Sequence, residues 1–221
     1  MKLVLVISSL SSGGAERVLV LLARGLARRG HQVTVVTIYG EDLDFFRLPP
    51  GVERVALGLG KDTVGLVAKL SANGRRLRAL RRAIRTARPD AVISLLGQTN
   101  VLTLLATAGL RAPVVVCEHT DPRREPLPGA WQSLRRIAYR RAAKVVSVSA
   151  DIDRSFDWIA PQRRAVIPNP IDFEELGQEG PGLEWPWPHA AVAMGRLAPE
   201  KGFDLLIEAF GRLLDSERFA D

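Results

Sequence analysis

Two textures alternate along the chain. Short unbroken apolar runs, rich in β-branched residues, occupy residues 2–7, 32–38, 90–96, 113–117 and 144–148, each of strand length. Val52 to Leu57 and Arg164 to Ile167 are weaker runs of the same kind. Between them the apolar positions recur every three or four residues. Residues 15–29 place Val18, Leu19, Leu22 and Leu26 on one helix face. Similar patterns cover 64–87, 99–109, 129–142 and 150–159. Strands that lack in-out alternation, each followed by a helix, predict an α/β fold with a parallel sheet covered on both faces and right-handed crossovers. Ligands in such sheets bind beyond the carboxyl ends of the strands. Ser8-Ser9, Gly97-Gln98, Glu118-His119 and residues 147–149 are therefore expected around a cleft.

The pattern breaks at V-I-P-N-P-I-D, residues 166–172, where prolines on both sides of Asn169 block a helix. Residues 173–188 are acidic and then rich in Pro and Trp, which reads as a linker. A new strand is expected in H-A-A-V-A-M-G-R-L from His189, followed by a helix from Pro199 to Leu214 with Leu205, Leu206, Ala209, Phe210 and Leu213 on its apolar face. The organisation expected is a first domain over 1–168, a linker over 169–188 and the start of a second domain over 189–221. One strand and one helix cannot bury a core, so this second domain is expected to be incomplete.

Composition adds three constraints. The 221 residues are 47% hydrophobic and 25% charged, a globular balance. The single cysteine, Cys117, excludes an internal disulfide and fits a reducing compartment. No apolar run reaches the roughly 18 residues of a membrane helix, and the opening M-K-L-V-L-V-I-S leads into Gly13-Gly14 and Glu16-Arg17 without a cleavage region. The net charge of +7 is unevenly spread. Residues 1–168 hold 27 Lys+Arg against 13 Asp+Glu, and residues 169–221 hold 4 against 11. The first part is thus matched to an anionic partner such as a membrane surface, a phosphorylated substrate or nucleic acid. Compositional bias is the other reading, since 26 of the 31 basic residues are Arg.

Three stretches carry candidate chemistry. Gly13-Gly14 lie between the first strand and the first helix, where a helix N-terminus offers free N–H groups to an anion. Glu16 is either a cleft residue or a favourable first-turn acid, and Arg17 falls at the mouth of the cleft. In the second stretch, Gly195 allows close backbone approach, and Arg196 and Lys201 flank a helix start. Two cations with helix N–H donors suit a diphosphate, while a salt-bridged Arg196 and a solvated Lys201 fit the same spacing. The third stretch is C-E-H-T-D-P, residues 117–122. Glu118 and Asp121 either orient His119 and bind hydroxyls, or the segment is a plain Asp121-Pro122 turn. His31 and His189 border strands and read as structural.

Here a resemblance adds to the residues. G-R-L-A-P-E-K-G-F-D-L-L-I-E-A-F, Gly195 to Phe210, resembles the nucleotide-sugar-binding motif of family 4 glycosyltransferases. S-S-G-G-A-E-R resembles that family's N-terminal glycine loop, A-K-V-V-S-V-S-A its strand-to-helix segment late in the first domain, and V-I-P-N-P-I-D its interdomain connection. The resemblance implies a GT-B architecture: a Rossmann-like first domain over the acceptor, then a second Rossmann-like domain that binds the donor. It implies a retaining transfer of a sugar from a nucleotide-sugar to a lipid-linked or cell-surface glycan acceptor. Arg196 and Lys201, with Gly13 and Gly14, would hold the donor diphosphate. His119 would be catalytic, and Glu16, Arg17, Glu118 and Asp121 would serve the acceptor. No metal and no other cofactor is expected. The family's later acidic motif does not occur in these 221 residues, so activity is expected of a longer parent, and this chain alone reads as inactive. Residues 8–14, S-S-L-S-S-G-G, lack the G-x-G-x-x-G of a dinucleotide fold. An NAD-dependent oxidoreductase survives only on Glu41 or Asp42 as a ribose-binding acid.

Two basic clusters bear on partners. Residues 74–89 contain seven arginines around a face of Leu77, Leu80, Ile84 and Ala87. That is either a helix lying on an anionic bilayer or a sheet-covering helix with a solvated outer face. Trp131 to Lys144 mixes Trp131 and Tyr139 with Arg135, Arg136, Arg140 and Arg141. This suits a membrane interface or single-stranded nucleic acid, and no nucleic-acid-binding motif accompanies it. The expected location is the cytoplasm, peripheral on the inner face of the membrane, with no nucleic-acid partner.

Overall fold

The computed structural model describes residues 1–60, 65–172, 191–195 and 197–214. The chain divides into two units, Met1–Phe173 and Glu174–Asp221. The first is a seven-stranded, fully parallel Rossmann-like sheet of β1 (Lys2–Ile7), β2 (Gln32–Thr37), β3 (Val52–Ala56), β4 (Ala91–Leu95), β5 (Val114–Glu118), β6 (Lys144–Ser147) and β7 (Arg164–Val166). The order across it is β3-β2-β1-β4-β5-β6-β7. The direction of winding therefore reverses between β1 and β4, and the carboxyl ends of those strands splay apart there.

Alternate residues of the central strands β1, β2 and β4 feed two separate cores. On β1, Leu3, Leu5 and Ile7 pack with Leu19, Val20 and Ala23 of α1 (Gly14–Arg28). Val4 and Val6 point the other way, into a larger core holding Leu80 and Ile84 of α2 (Leu66–Ala87), Val101 and Leu104 of α3 (Gly97–Ala106) and Ala138 of α4 (Trp131–Ala138). The short α5 (Ala150–Arg154) adds Ile152 to that core. This is why the strands read as continuous apolar runs.

The helix expected over 129–142 ends at Ala138 and tightens into a 3-10 turn, Tyr139–Arg141. The one expected over 150–159 stops at Arg154. The aromatic half of the membrane reading for residues 131–144 is overturned. Tyr139 is wholly buried, and Trp131 packs against the larger core. The helix turns these side chains inward because Arg135, Ala138 and Tyr139 share its core face.

Two of the seven arginines of residues 74–89 also serve the fold. Arg81 Nη1 donates to the carbonyls of Ala106 (2.6 Å) and Ala108 (2.7 Å), which are among the acceptors left open where α3 ends. Arg76 Nε donates to the Leu59 carbonyl (2.8 Å). Arg75, Arg78, Arg82, Arg85 and Arg88 are exposed.

In the second unit, residues 191–195 form no strand. Ladder hydrogen bonds need a neighbouring strand, and the described residues of this unit supply none. The helix expected from Pro199 is split. Pro199–Lys201 make a 3-10 turn, Gly202 takes a left-handed conformation (φ 62°), and α6 runs from Phe203 to Leu214. Gly202 interrupts the helix because only the left-handed region lets the turn redirect the chain there. Residues 173–188 of the linker expected over 169–188, the start of the strand at His189, and Arg196 lie outside the described residues.

Candidate functional site

A polar cavity of about 490 Å³ opens at the point where the strand order reverses. Ser8 and Ser9 reach it from the end of β1, Tyr39 from beyond β2, Leu96 to Thr99 from the turn into α3, and Glu118 and Thr120 from the end of β5. Ser11 and Glu16 come from the loop into α1 and its first turn, and Glu125, Leu127 and Arg135 close the far side. The turn from β4 into α3 is strained. Leu96 sits at φ 75° and ψ 134°, a region that costs a non-glycine residue on the order of 1–3 kcal/mol. Strain of this kind clusters at functional sites, and here it sets Gly97, Gln98 and Thr99 on the cavity wall.

The glycine pair resolves into two different roles. Neither glycine has a positive φ. A Cβ on Gly13 would stand 2.1 Å from Glu16 Oε2, whereas one on Gly14 would meet nothing. Gly13 therefore makes room for the Glu16 carboxylate, which folds back over it. Glu16 Oε1 accepts from Ser11 Oγ (3.1 Å) and Ser9 Oγ (3.5 Å). The Gly13 N–H is already spent on the Ser11 carbonyl (2.8 Å), so only Gly14 of the pair is exposed and open to a ligand. Arg17 is exposed on the same first turn.

Glu118 lies 2% exposed at the end of β5. The Tyr139 hydroxyl donates to its Oε1, and Asn100 Nδ2 donates to the same oxygen (3.4 Å). Burial pushes the Glu118 pKa up, while Tyr139, then Arg135, then Asn100 pull it back. Burial and the adjacent carboxylate push the Tyr139 hydroxyl well above its ordinary value, so Tyr139 stays the donor. Arg135 is itself buried, donates to Gln132 Oε1 (2.7 Å) and stands 5.5 Å over the Phe156 ring.

The other expected residues fall elsewhere. His119 points to the opposite face of the sheet from Glu118, as adjacent strand residues must. It borders an apolar groove of about 470 Å³ floored by Ile93, Leu95, Val115, Cys117 and Val146 and flanked by α1 and residues 167–170. Neither ring nitrogen has a well-formed hydrogen bond. Burial lowers the His119 pKa, with the Asn169 side chain opposing weakly. In the same groove, burial and then the Glu118 charge push the Cys117 thiol up to about 12. Asp121 is fully engaged: Arg123 grips both oxygens, the Arg123 N–H donates to Oδ1 (2.9 Å), and Ser155 Oγ adds a third donor (3.2 Å). The Arg123 guanidinium holds this carboxyl well below the usual range. Asp121 thereby shapes the loop that carries Glu125 and does not line the cavity itself.

In the second unit Lys201 is exposed. A Cβ on Gly195 would stand 3.5 Å from Lys201 Cγ and 3.4 Å from the Phe203 ring, so the chain at Gly195 folds against the turn before α6. Sequence reasoning passed over Asn100, Arg135, Tyr139 and Glu125. The first three had a legible signal: a polar residue at a helix position that periodicity assigns to the core.

Two measurements check this geometry. Gly13→Ala is expected to displace Glu16 from Ser9 and Ser11 at a stability cost under about 1 kcal/mol, because the atom struck is the far end of a flexible chain. Gly14→Ala is expected to stabilise by roughly 0.5–1 kcal/mol through helix propensity. Urea unfolding and a crystal structure of each variant would separate them, and equal effects would contradict the assignment. A depressed histidine pKa makes the unfolded state bind the extra proton first. Stability is then expected to fall as pH drops below about 6.5 toward the folded-state value. His119→Leu should flatten that part of the pH–stability curve, and an unchanged slope would place the cause elsewhere.

The sequence profile described as Glycosyltransferase Family 4 matches residues 12–175. A GalNAc-alpha-(1->4)-GalNAc-alpha-(1->3)-diNAcBac-PP-undecaprenol alpha-1,4-N-acetyl-D-galactosaminyltransferase from Campylobacter jejuni is 31% identical over 176 residues, covering 79% of this chain and 47% of the relative. The chain thus spans about half the length of the curated relative it matches. Among solved structures, Anabaena HepE in complex with UDP and glucose superposes with a TM-score of 0.57 at 19% identity, covering 79% of this chain and 46% of that one. The UDP-GlcNAc 2-epimerase of Methanocaldococcus jannaschii gives 0.58 at 16%, covering 76% and 46%. At these identities the two structures speak for the fold alone. The profile match over most of the chain, with the relative's sequence identity, shows that the chain belongs to glycosyltransferase family 4.

Proposed function

We propose that the first unit is the acceptor side of a retaining glycosyltransferase that moves a sugar from a nucleotide-sugar donor to a lipid-linked or cell-surface glycan. The observation that carries this reading is the switch-point cavity, where Glu16 and Glu118 converge with Ser9, Ser11, Gln98 and Thr99. Carboxylates and hydroxyls on one wall suit the vicinal hydroxyls of a saccharide, which donate to carboxylates in charge-assisted hydrogen bonds. A phosphate would instead meet three carboxylates, Glu16, Glu118 and Glu125, against one arginine. The Campylobacter relative's name describes an undecaprenol-diphosphate-linked acceptor and transfer of N-acetylgalactosamine, which supports a lipid-linked saccharide here.

The donor diphosphate is assigned to Arg196 and Lys201 of the second unit, and of the glycine pair only Gly14 keeps an exposed backbone for the anion-binding role expected of it. Charge develops on the leaving diphosphate as the bond breaks, so fixed cations there favour the transition state. In this reading those cations take the place of a metal. His119 borders the apolar groove and not the cavity, so the catalytic role expected of it requires the reacting sugar to lie on the groove side of the strand end. The dinucleotide alternative gains no support, since Glu41 and Asp42 are exposed in a turn outside the cavity lining.

In the complete transferase, Glu16→Gln is expected to lower kcat/KM for the acceptor about tenfold, as loss of a hydrogen bond to a charged group would. The KM for the donor should stay unchanged. Transfer of labelled N-acetylgalactosamine from its uridine diphosphate to an undecaprenyl-diphosphate saccharide measures both. An effect confined to the donor would move Glu16 across the cleft.

Peripheral contact with an anionic bilayer is part of the proposal. No helix among the described residues is long and apolar enough to cross a membrane. The exposed arginines of α2, and Ile137 (63% exposed) between Arg136 and Arg140, offer a basic surface with an apolar contact. Arg78→Glu with Arg82→Glu should reduce binding to phosphatidylglycerol vesicles several-fold. Arg81 is left intact because it caps α3. Retained binding would reject this surface.

A further inference from the structure

The hydrogen bonds around Glu118 are one-sided. Tyr139 and Asn100 both donate to Oε1. Asn100 Nδ2 also reaches the Cys117 carbonyl (2.9 Å) and the Tyr139 oxygen (3.2 Å). Among the described residues no donor reaches Oε2, and Glu118 lines the cavity. The orientation of the Asn100 amide fits this bias. Its Oδ1 is buried with no partner, an arrangement that is costly in itself. Flipping the amide would turn Oδ1 toward the Cys117 carbonyl and the Glu118 carboxylate, acceptor against acceptor. The carboxylate thus fixes the amide, and the amide and the phenol fix the carboxylate.

We propose that Tyr139 and Asn100 are positioning residues: they lock one oxygen of Glu118 so that the other is presented, as an anion, to a hydroxyl of the saccharide acceptor. This rests on the saccharide reading of the cavity. The groups that set the charge of Glu118 come from every neighbouring element. Arg135 lies on α4, Tyr139 on the turn after it and Asn100 on α3. Glu16 of α1 and Glu125 of the 121–127 loop line the cavity with it. Tyr139, Arg135 and Asn100 favour the anion, and burial, the largest effect, opposes it. A purely structural role would be met more cheaply by an apolar side chain at 118, since buried ionic groups rarely improve on good apolar packing.

The test follows Glu118 directly and needs no turnover. With carbon-13-labelled glutamate, the Glu118 carboxyl is titrated by NMR in the chain and in Tyr139→Phe, which keeps the ring against Phe156. The expected result is a midpoint raised by about one pH unit, the size of one lost hydrogen bond to a charged group. Binding of methyl N-acetyl-α-D-galactosaminide, followed by NMR, should weaken several-fold in Tyr139→Phe at pH 5.5 and much less at pH 8. Asn100→Ser serves as a second variant and should shift the midpoint in the same direction. An unmoved midpoint in both variants overturns the positioning role. A moved midpoint with saccharide affinity unaffected by Glu118→Gln at every pH, or no saccharide binding by the unsubstituted chain, overturns the saccharide reading instead.

Discussion

Burial of the Glu118 carboxylate is the constraint around which the first unit is organised. A carboxylate at 2% exposure is tolerated only when donors and a cation replace the water it has lost. Those partners come from two separate stretches of chain: Asn100 from α3, and Arg135 and Tyr139 from α4 and the turn that continues it. Removing one donor from a buried polar group costs about 1–3 kcal/mol, more where the group is charged, which favours one fixed relation between the elements that carry them. Phe156 extends the same arrangement, since its ring lies 5.9 Å from that of Tyr139 and 5.5 Å from the Arg135 guanidinium. The cavity floor is rigid because it is built from these contacts.

Strand alternation then separates the chemistry on either side of the sheet. Cys117, Glu118 and His119 are consecutive, yet Glu118 faces the polar cavity while Cys117 and His119 border the apolar groove. The two sides push titratable groups in contrasting ways. Burial holds His119 neutral and Cys117 as the thiol, and it raises the Glu118 pKa by more than Tyr139, Arg135 and Asn100 lower it. A reading that treats residues 117–122 as one functional cluster joins groups that the pleat keeps apart. Asp121 shows the same point differently: its oxygens are saturated by Arg123 and Ser155, which leaves it to shape the loop.

The parallel sheet was legible because its signal is redundant. Seven apolar runs, five of them followed by helical spacing, allow few other architectures, and both faces of β1 are buried. The approach of Glu16 to Glu118 was half legible, since both stand just past strand ends at the reversal of the sheet order. The roles of the glycines were not legible. Gly13 reads as a ligand-approach glycine, but its missing Cβ makes space for a side chain three residues ahead. The basic stretches misled for a related reason. Charge counts treat every arginine alike, whereas Arg81 caps a helix, Arg76 ties a loop and Arg135 is buried. Trp131, Arg135 and Tyr139 recur at four-residue spacing, which puts them on one helix face, and a polar residue on a face that packs inward is the more informative signal.

The proposed division of labour across the cleft follows from charge. Cations suited to a diphosphate, Arg196 and Lys201, belong to the second unit, whereas the cavity of the first carries three carboxylates and one buried arginine. A saccharide ring is neutral and rich in hydroxyls, so it gains from carboxylates held by donors on one side and open on the other. A diphosphate placed in the same cavity would meet like charge in a partly desolvated space, where repulsion is strongest. An acceptor joined to a lipid through a diphosphate can satisfy both demands only if its sugar end enters the cavity and its diphosphate stays outside.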